Sequence, residues 1–273
     1  MLPDSYKSWQ SSPIHFSSVK VKTDRSVIAA SPGNGIFHKS EYGEWIGMSK
    51  GLPEHTNINR LQLVGDSLFA CTNKGLYRLE QQEWTCAEMN QPCYQYKEEW
   101  GYGFAATSSG LLYRSTNPWK RSAYENAIVY DFLFTPQYLY IGLDQGIGMS
   151  DRMTDRWASF HLESGVTSLA ASREYLVGAN EKGALIVSNG EGGFSTIQFG
   201  DIFIFSVIAK HAQVYVCTDK GLFRISKLRE RLTLYPVKSG VPVTDIDWLG
   251  PELYMATLSK GIQTMQTEPW CSY

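Results

Sequence analysis

The hydrophobic and polar positions of the chain repeat in similar units. The clearest unit runs from Leu68 to Trp84: an apolar run, a small residue, Thr, a polar two-residue turn, Gly, a second apolar run and an aromatic residue. Each unit contains one turn glycine: Gly35, Gly75, Gly110, Gly146, Gly183, Gly221 and Gly261. Successive glycines are 40, 35, 36, 37, 38 and 40 residues apart. Such a period is typical of an array of small supersecondary units.

Each unit contains a β-hairpin at its glycine. β-Branched and aromatic runs that end in turn residues predict strands. The residue after the glycine is apolar in every unit: Ile36, Leu76, Leu111, Ile147, Ala184, Leu222 and Ile262. Glycine at the end of a tight polar turn permits the positive φ that residues with a side chain avoid. We therefore expect an antiparallel strand on each side of every turn glycine.

Two further strands complete the unit. Counting back 14 residues from the glycines gives a row that predicts a buried first strand: Val21, Leu61, Tyr96, Phe132, Leu169, Val207 and Asp247. Most hairpins are followed by an aromatic residue that marks a fourth strand: Trp45, Trp84, Trp119, Trp157, Phe194 and Trp270, with Leu232 in the sixth unit. Small four-stranded sheets bury both faces by packing around a common axis. The sequence therefore predicts an all-β fold, a single seven-bladed β-propeller domain over residues 1–273.

The two ends of the chain are expected to meet in the last blade. The last unit stops soon after Trp270, which leaves too few residues for a complete fourth strand. We therefore expect the N-terminal segment, around residues 6–10, to complete or cover the outer strand of the last blade. The alternative is a disordered tail, since chain ends are often disordered.

Composition and charge narrow the class of protein. A formal net charge of −2 gives no basic footprint for nucleic acid. No apolar stretch is long enough to span a membrane, and the first residues lack the apolar core of a signal peptide. The odd number of cysteines, 5, without a C-x-x-C motif, argues against a disulfide scaffold and favours a reducing compartment. We expect a bacterial cytoplasmic protein without a cofactor or a metal; the sequence does not indicate an oligomeric state.

Several units carry a further motif after the third strand. Shortened or looser forms of S-x-D-x-G-x-x-W occur at Ser40–Trp45, at Ser150-Asp151 with Trp157, and at Ser188-Asn189-Gly190 with Phe194. Together with the repeated hairpins, these motifs resemble the Asp-box (BNR-like) superfamily of seven-bladed propellers, which includes sortilin-like and photosystem-assembly-factor-like proteins. The resemblance covers nearly the whole chain and implies the fold. It does not imply one activity, because the superfamily contains sialidases, xyloglucan hydrolases, receptors and assembly chaperones. No unit has an intact Asp-box.

Candidate ligand-binding residues fall on one face of the predicted propeller, where the blade connections and the glycine turns meet over the central channel. Four lysines directly precede a turn glycine: Lys74, Lys182, Lys220 and Lys260. They could form a partial positive ring for an anionic ligand or an acidic partner. The alternative is that lysine is simply a suitable exposed turn residue.

Polar and aromatic residues form a second candidate group at the channel. Sixteen residues before the glycines lie Val19, Asn59, Tyr94, Tyr130, Thr167, Phe205 and Asp245, with His55, Asp201 and Phe203 nearby. These groups could converge on a ligand, with stacking on Tyr94, Tyr130 or Phe203. Alternatively, they cap strand ends and bond to the backbone at the crowded axis.

Candidate catalytic residues are the acids and histidines of the same region: Asp131, His161, Glu163, Asp245 and Asp247. Asp245 and Asp247 alternate on one face of an otherwise apolar strand, which indicates either a functional site or a pair that contacts backbone amides and water. A glycosidase needs two carboxylates at a defined separation, which a sequence does not give. Sialidase chemistry needs an arginine cluster, and the inner strands offer only Arg60. The five histidines are scattered among different units; His55 and His161 could meet over the channel and bind a metal, although we expect none.

Two functions follow from these residues. The first is a non-catalytic binding or assembly propeller that presents one face to a protein partner or a small-molecule ligand, which the absence of known catalytic motifs favours. The second is an enzyme, most plausibly a lyase, an isomerase or cyclase, or a hydrolase, with a site at the channel. The acidic pair and its aromatic neighbours favour the second.

Overall fold

The computed structural model describes residues 15–172, 174–189, 192–210, 212–228 and 231–267. Within these ranges the chain forms 27 β-strands and no helix. The strands make six four-stranded sheets and one three-stranded sheet, each with its strands hydrogen-bonded in chain order. The prediction of an all-β, seven-bladed propeller is therefore confirmed. The predicted closing segment, residues 6–10, and the marker Trp270 lie outside the described residues.

The blades follow the chain in order. Blade 1 contains β1 (Ser18–Val21), β2 (Val27–Ser31), β3 (Gly35–Lys39) and β4 (Trp45–Gly47). Blade 2 contains β5 (Ile58–Val64), β6 (Ser67–Thr72), β7 (Gly75–Glu80) and β8 (Glu83–Cys86). Blade 3 contains β9 (Cys93–Glu99), β10 (Tyr102–Thr107), β11 (Gly110–Arg114) and β12 (Lys120–Ala123). Blade 4 contains β13 (Val129–Phe134), β14 (Tyr138–Leu143), β15 (Gly146–Asp151) and β16 (Arg156–His161).

The remaining three blades complete the circle. Blade 5 contains β17 (Val166–Ala171), β18 (Leu176–Asn180), β19 (Leu185–Ser188) and β20 (Phe194–Ile197). Blade 6 contains β21 (Ile204–Lys210), β22 (Gln213–Thr218), β23 (Gly221–Leu228) and β24 (Arg231–Ser239). Blade 7 contains β25 (Val243–Leu249), β26 (Glu252–Thr257) and β27 (Ile262–Gln266). The first strand of each blade contacts the first strand of the next, and β25 contacts β1.

The turns define two faces of the propeller. Because successive strands are antiparallel, the blade connections and the turns between second and third strands lie on one face, which we call the mouth face. The turns between first and second strands, and between third and outer strands, lie on the opposite face. The turn glycines therefore all belong to the mouth face, as the sequence predicted.

The hydrophobic core is divided among the blade interfaces. Seven clusters of buried side chains each join two neighbouring blades. At the closing interface, Phe16 and Val19 of blade 1 pack against Tyr254 and Ala256 of blade 7. Each fully buried side chain of Val or Phe size contributes about 1.5–3 kcal/mol through removal of apolar area from water. The ring is thus held by apolar contacts between blades, because one thin sheet has no core of its own.

Strand pairing changes two members of the row of buried first-strand residues that was predicted by counting 14 residues back from each turn glycine. Strand pairing gives one equivalent row of first-strand residues, each with an exposed fraction of 5 % or less: Val19, Leu61, Tyr96, Phe132, Leu169, Val207 and Ile246. The turns before Gly35 and Gly261 are one residue longer than the turn before Gly75, and blade 1 also has a longer first turn. Counting therefore selected Val21, which is also buried but lies two residues after the row, and Asp247, which lies on the opposite side of the strand from Ile246; the buried row itself is apolar in every blade.

Two of the turn glycines show why the repeat requires glycine. Gly75 has φ +144° and Gly221 has φ +146°, which residues with a Cβ rarely adopt. A Cβ on Gly75 would also overlap the carbonyl oxygen of Met89, and one on Gly221 would overlap that of Lys238. Met89 lies in the connection after the outer strand β8 and Lys238 lies in the outer strand β24, so the glycine allows the hairpin turn and this backbone to approach closely.

The buried thiols are expected to resist labelling in the folded protein. Cys71, Cys93 and Cys217 are fully buried, and burial raises the pKa of Cys217 to about 12, so its thiol stays protonated. Cys86 is partly exposed. In a Cys271→Ser variant, we expect a thiol reagent such as DTNB to label Cys86 quickly and the other three only after unfolding. Fast labelling of two or more thiols in the folded Cys271→Ser variant would contradict this packing role.

Candidate functional site

A central cavity of about 660 Å³ lies between the first strands of the seven blades. Its lining contains both signs of charge: the carboxylates of Asp131, Asp245 and Asp247, and the cations of Lys20, Arg60, Lys97 and Lys210. Charged groups at this depth are costly unless they are paired or hydrogen-bonded. The chemistry of the channel therefore depends on how these groups are paired.

One row of the first strands is polar in every blade. Directly before the buried row lie Ser18, Arg60, Gln95, Asp131, Ser168, Ser206 and Asp245, which we call the polar belt. Counting residues back from the turn glycines did not reveal the polar belt. The count placed Asp245 at the position equivalent to Asn59, whereas strand pairing makes Asp245 equivalent to Arg60. Thr244 is instead the residue equivalent to Asn59, at the bulge that precedes the belt. Aligning the first strands by their pairing, with the extra turn residue before Gly35 and before Gly261 taken into account, would have revealed the belt.

The belt joins neighbouring blades by a repeated hydrogen bond. The backbone N–H of Leu61 donates to Ser18 Oγ at 3.2 Å, and that of Val207 donates to Ser168 Oγ at 3.1 Å. The N–H groups of Leu169 and Val19 donate in the same way to Asp131 at 2.9 Å and Asp245 at 3.1 Å. The inner edge of each sheet has unpaired backbone groups, and belt side chains satisfy them across four interfaces.

The other three blade interfaces have related polar contacts. Asn59 Nδ2 donates to Cys93 O at 2.7 Å between blades 2 and 3. Gln95 Nε2 donates to Asp131 Oδ1 at 3.1 Å between blades 3 and 4, and Ser206 Oγ donates to Thr244 O at 3.0 Å between blades 6 and 7. All seven interfaces at the channel are therefore bridged by a side chain.

Asp131 is the most buried charge of the channel, with a side-chain exposure of 3 %. Lys97 Nζ lies 3.2 Å and Arg60 Nη1 3.6 Å from its carboxylate oxygens. Burial alone would raise the pKa of Asp131, but these two cations, with hydrogen bonds from Leu169 N and Gln95, outweigh it and lower the pKa. Asp131 is thus an ionised carboxylate held by blades 2, 3 and 5, and Arg60 is engaged as its partner.

Asp245 and Asp247 both face blade 1. Asp245 Oδ2 accepts hydrogen bonds from Ser18 Oγ at 2.7 Å and Val19 N at 3.1 Å, and it pairs with Lys20 Nζ at 3.2 Å. Asp247 Oδ2 accepts a hydrogen bond from Val21 N at 2.8 Å. Each carboxylate therefore contacts a different backbone N–H of β1. This agrees with the hypothesis that the pair contacts backbone amides.

Aromatic side chains lie at the mouth-face ends of the first strands. The rings of Tyr94 and Tyr130 meet edge to face with centroids 5.2 Å apart, and those of Phe203 and Phe205 are 5.4 Å apart. Tyr130 packs against Gly165, where a Cβ would lie 3.0 Å from its ring. Burial raises the pKa of Tyr94 and of Tyr130, so both hydroxyls are neutral donors at neutral pH. We call these four residues the mouth aromatics.

The four turn lysines are exposed at the mouth face, but their surroundings differ. Lys220 Nζ pairs with Asp201 at 3.2 Å and with Asp219 at 3.3 Å. Lys182 Nζ donates to Glu163 O at 3.1 Å. Lys74 and Lys260 make no ion pair with a described residue. The positive ring is therefore uneven, with the charge of Lys220 compensated by two acids, one of which is the predicted ligand-binding residue Asp201.

The remaining predicted site residues do not line the cavity. His55 is exposed in the connection before β5, His161 is exposed at the end of the outer strand β16, and Glu163 is exposed in the next connection. Within the described ranges, no group of three or more His, Cys, Asp or Glu side chains could hold a metal ion. His161 and Glu163 are thus separate from the channel carboxylates with which they were grouped.

Solved structures of other propellers resemble this chain in fold. The extracellular domain of BT4673 from B. thetaiotaomicron, described as a one-component system, has a TM-score of 0.73 at 14% identity, covering 93% of this chain and 38% of that one. Virginiamycin B lyase from Staphylococcus aureus has a TM-score of 0.70 at 10% identity, covering 94% and 97%. PorZ of Porphyromonas gingivalis, a component of the type-IX secretion system, has a TM-score of 0.63 at 12% identity, covering 96% and 39%.

These similarities define the class of the protein as a seven-bladed β-propeller. The chain spans well under half of BT4673 and of PorZ, and at these identities the likeness concerns the fold alone. No family model and no curated protein matches the sequence. No helix in the described ranges is long and apolar enough to cross a membrane.

Proposed function

We propose that this protein is a non-catalytic binding propeller that presents its mouth face to a protein or a small ligand. One observation carries the proposal: the acids of the channel are used to hold the blades together. Asp131, Asp245 and Asp247 all accept backbone hydrogen bonds from a neighbouring blade. A general acid–base pair needs groups that are free to exchange protons with a substrate. The mouth aromatics and the turn lysines are then the groups available for binding.

An enzyme of the lyase, isomerase or hydrolase type is the alternative. It would use the same three acids with His161 and Glu163. The geometry favours it less, because neither His161 nor Glu163 lines the cavity. The likeness to virginiamycin B lyase supports only a shared fold.

In the binding proposal the protein acts in the cytoplasm. The three buried free thiols support this location, since they need no oxidising compartment.

Kinship with Asp-box propellers is part of the same proposal. In the turn after β3, the N–H of Glu44 donates to Ser40 Oγ at 3.1 Å. In the turn after β15, the N–H of Met153 donates to Asp151 Oδ1 at 2.8 Å. Side-chain oxygens thus close these two turns, as Ser and Asp side chains commonly do. This shared turn chemistry supports the kinship.

The proposal predicts that partners contact the mouth aromatics. A photo-crosslinking residue such as p-benzoyl-phenylalanine would replace Tyr94 or Tyr130 in protein produced in its own cells. We expect a discrete crosslinked product, or for a small ligand a bound mass in native mass spectrometry that Tyr94→Ala removes. Tyr42 and Tyr235 serve as controls, because they are 92% and 47% exposed on the third-to-outer-strand turn of blade 1 and the outer strand of blade 6. Equal products at all four positions, or no bound species at the mouth, would contradict the proposal.

A further inference from the structure

The face opposite the mouth carries exposed aromatic, methionine and arginine side chains in the turns of two neighbouring blades. Trp100 is 57% exposed, Tyr102 41% and Met153 79%. Trp100 lies in the first turn of blade 3 and Tyr102 directly follows that turn, whereas Arg152 and Met153 lie in the last turn of blade 4. We call Trp100, Tyr102, Phe134, Arg152 and Met153 the aromatic patch.

The patch is fixed in shape by contacts between the two blades. The rings of Trp100 and Phe134 meet edge to face with centroids 4.9 Å apart, and Phe134 meets Phe104 at 4.8 Å. The guanidinium carbon of Arg152 lies 4.1 Å from the centroid of Trp100. Such cation–π stacking holds both partners in place. Trp100, Phe134 and Arg152 are therefore pre-organised, which lowers the entropy cost of binding at the centre of the patch.

The backbone of Trp100 is in an unfavourable conformation. Its φ is +52°, in the left-handed region that bulky residues avoid. The same turn position in blades 2 and 7 is occupied by Gly65 with φ +56° and Gly250 with φ +59°. A positive φ at this position costs glycine less than tryptophan, and Trp100 keeps much of its ring in water. A strained, exposed tryptophan is a feature that folding alone does not favour.

Arg152 defines the charge of the partner. Its Nη1 donates to Thr135 O at 3.0 Å and to Pro136 O at 3.3 Å, which anchors the side chain. No carboxylate among the described residues pairs with it. Its Nη2 and Nε donors are thus free of hydrogen bonds to the described chain. A planar, anchored guanidinium with free donors matches a carboxylate.

We propose that the aromatic patch is a second binding site, on the face opposite the mouth, for a protein partner that presents an Asp or Glu side chain beside apolar residues. Trp, Tyr, Met and Arg are the residue types enriched at the centres of protein interfaces. The carboxylate would pair with Arg152, and the apolar neighbours would cover Trp100, Tyr102 and Met153. This site is independent of the mouth face, so the two proposals can fail separately.

A random 12-residue peptide library displayed on phage tests the chemistry of the partner. Selection on the full-length protein should enrich peptides with an acidic residue next to apolar or aromatic ones. Their Kd should rise at least about 10-fold on Trp100→Ala and on Arg152→Gln, and binding should weaken with salt. Trp157→Ala and Arg156→Gln are matched controls, since both residues are exposed on the outer strand of blade 4. Enriched peptides without a carboxylate, or equal binding to all four variants, would overturn the proposal.

A second experiment does not depend on a ligand. If Trp100 is kept for binding, Trp100→Gly should relieve the backbone strain and leave the Tm within about 3 °C of the wild type. A much larger fall in Tm would show that Trp100 is mainly structural and would overturn the proposal. Acrylamide quenching of Trp100, isolated as the difference between protein with Trp100 and its Trp100→Phe variant, is compared in full-length protein and in protein lacking residues 1–14 as the last control. A large increase in quenching on truncation would show that the chain itself covers the patch, again overturning the proposal; equal quenching supports a free surface.

Discussion

Replacement of Asp131 by alanine is expected to destabilise the propeller by about 3–5 kcal/mol, the usual effect of removing one partner of a buried ion pair. The carboxylate is 3 % exposed and pairs with Lys97 and Arg60. It also accepts a hydrogen bond from the N–H of Leu169 at 2.9 Å. Without it, two cations and a backbone N–H lose their acceptor at the junction of several blades. Urea denaturation of both proteins measures the difference.

Asp66→Ala is the matched control for this variant, because Asp66 is an exposed carboxylate in the first turn of blade 2. We expect it to change the free energy of unfolding by less than about 0.5 kcal/mol. A loss at Asp131 no larger than the loss at Asp66 would show that the polar belt does not stabilise the ring. Asp131 would then be available for a catalytic function.

The pH dependence of stability provides an independent check on Asp131. Its folded-state pKa is lowered, so in acid the unfolded chain binds more protons than the folded protein. The contribution of Asp131 is therefore complete above the unfolded-state pKa near about 4 and is lost as the pH falls through the folded-state pKa. We expect Asp131→Asn to show a smaller loss of stability between neutral pH and acid than the wild type. Equal losses would mean that Asp131 does not have a lowered pKa.

Much of the fold could be predicted from the sequence because the repeat is carried by backbone geometry. A turn such as the one at Gly75, with φ +144°, leaves little choice of residue, so the glycines identified every blade. The strand position that each side chain occupies was harder to predict from the sequence. One extra residue in the turn before Gly261 moved Asp247 into the apparent place of the buried Ile246. Because side chains alternate along a strand, such a shift assigns a residue to the wrong face.

The site was less predictable than the fold because the same residue types serve structure and chemistry. Asp, Ser and Gln side chains in the first strands of a propeller satisfy backbone groups at the inner sheet edges, and the sequence alone does not distinguish these from catalytic groups. The aromatic patch was missed for a different reason. The strain at Trp100 and the stacking of Arg152 on its ring depend on two blades and on a backbone torsion angle.

Replacement of Asp245 by alanine is expected to cost about 2–4 kcal/mol and to loosen the interface that closes the ring. Asp245 Oδ2 is the acceptor for Ser18 Oγ, Val19 N and Lys20 Nζ, all in blade 1. A lost acceptor leaves these buried or half-buried donors unsatisfied. Blades 7 and 1 are far apart in the chain, so their interface depends on such contacts and on packing, not on a covalent connection.

Hydrogen exchange measured by mass spectrometry should localise the effect of Asp245→Ala. We expect faster exchange in peptides that contain β1 and β25, and little change in β17. Ser168→Ala is the matched variant, because it removes the equivalent bond between Ser168 and Val207 at an interface joined by the chain. Its effect should stay near β17 and β21. If Asp245→Ala instead kept wild-type stability and exchange, the carboxylate would not be a closing contact. Because catalytic residues often contribute little to stability, that result would favour the enzyme hypothesis over a binding propeller.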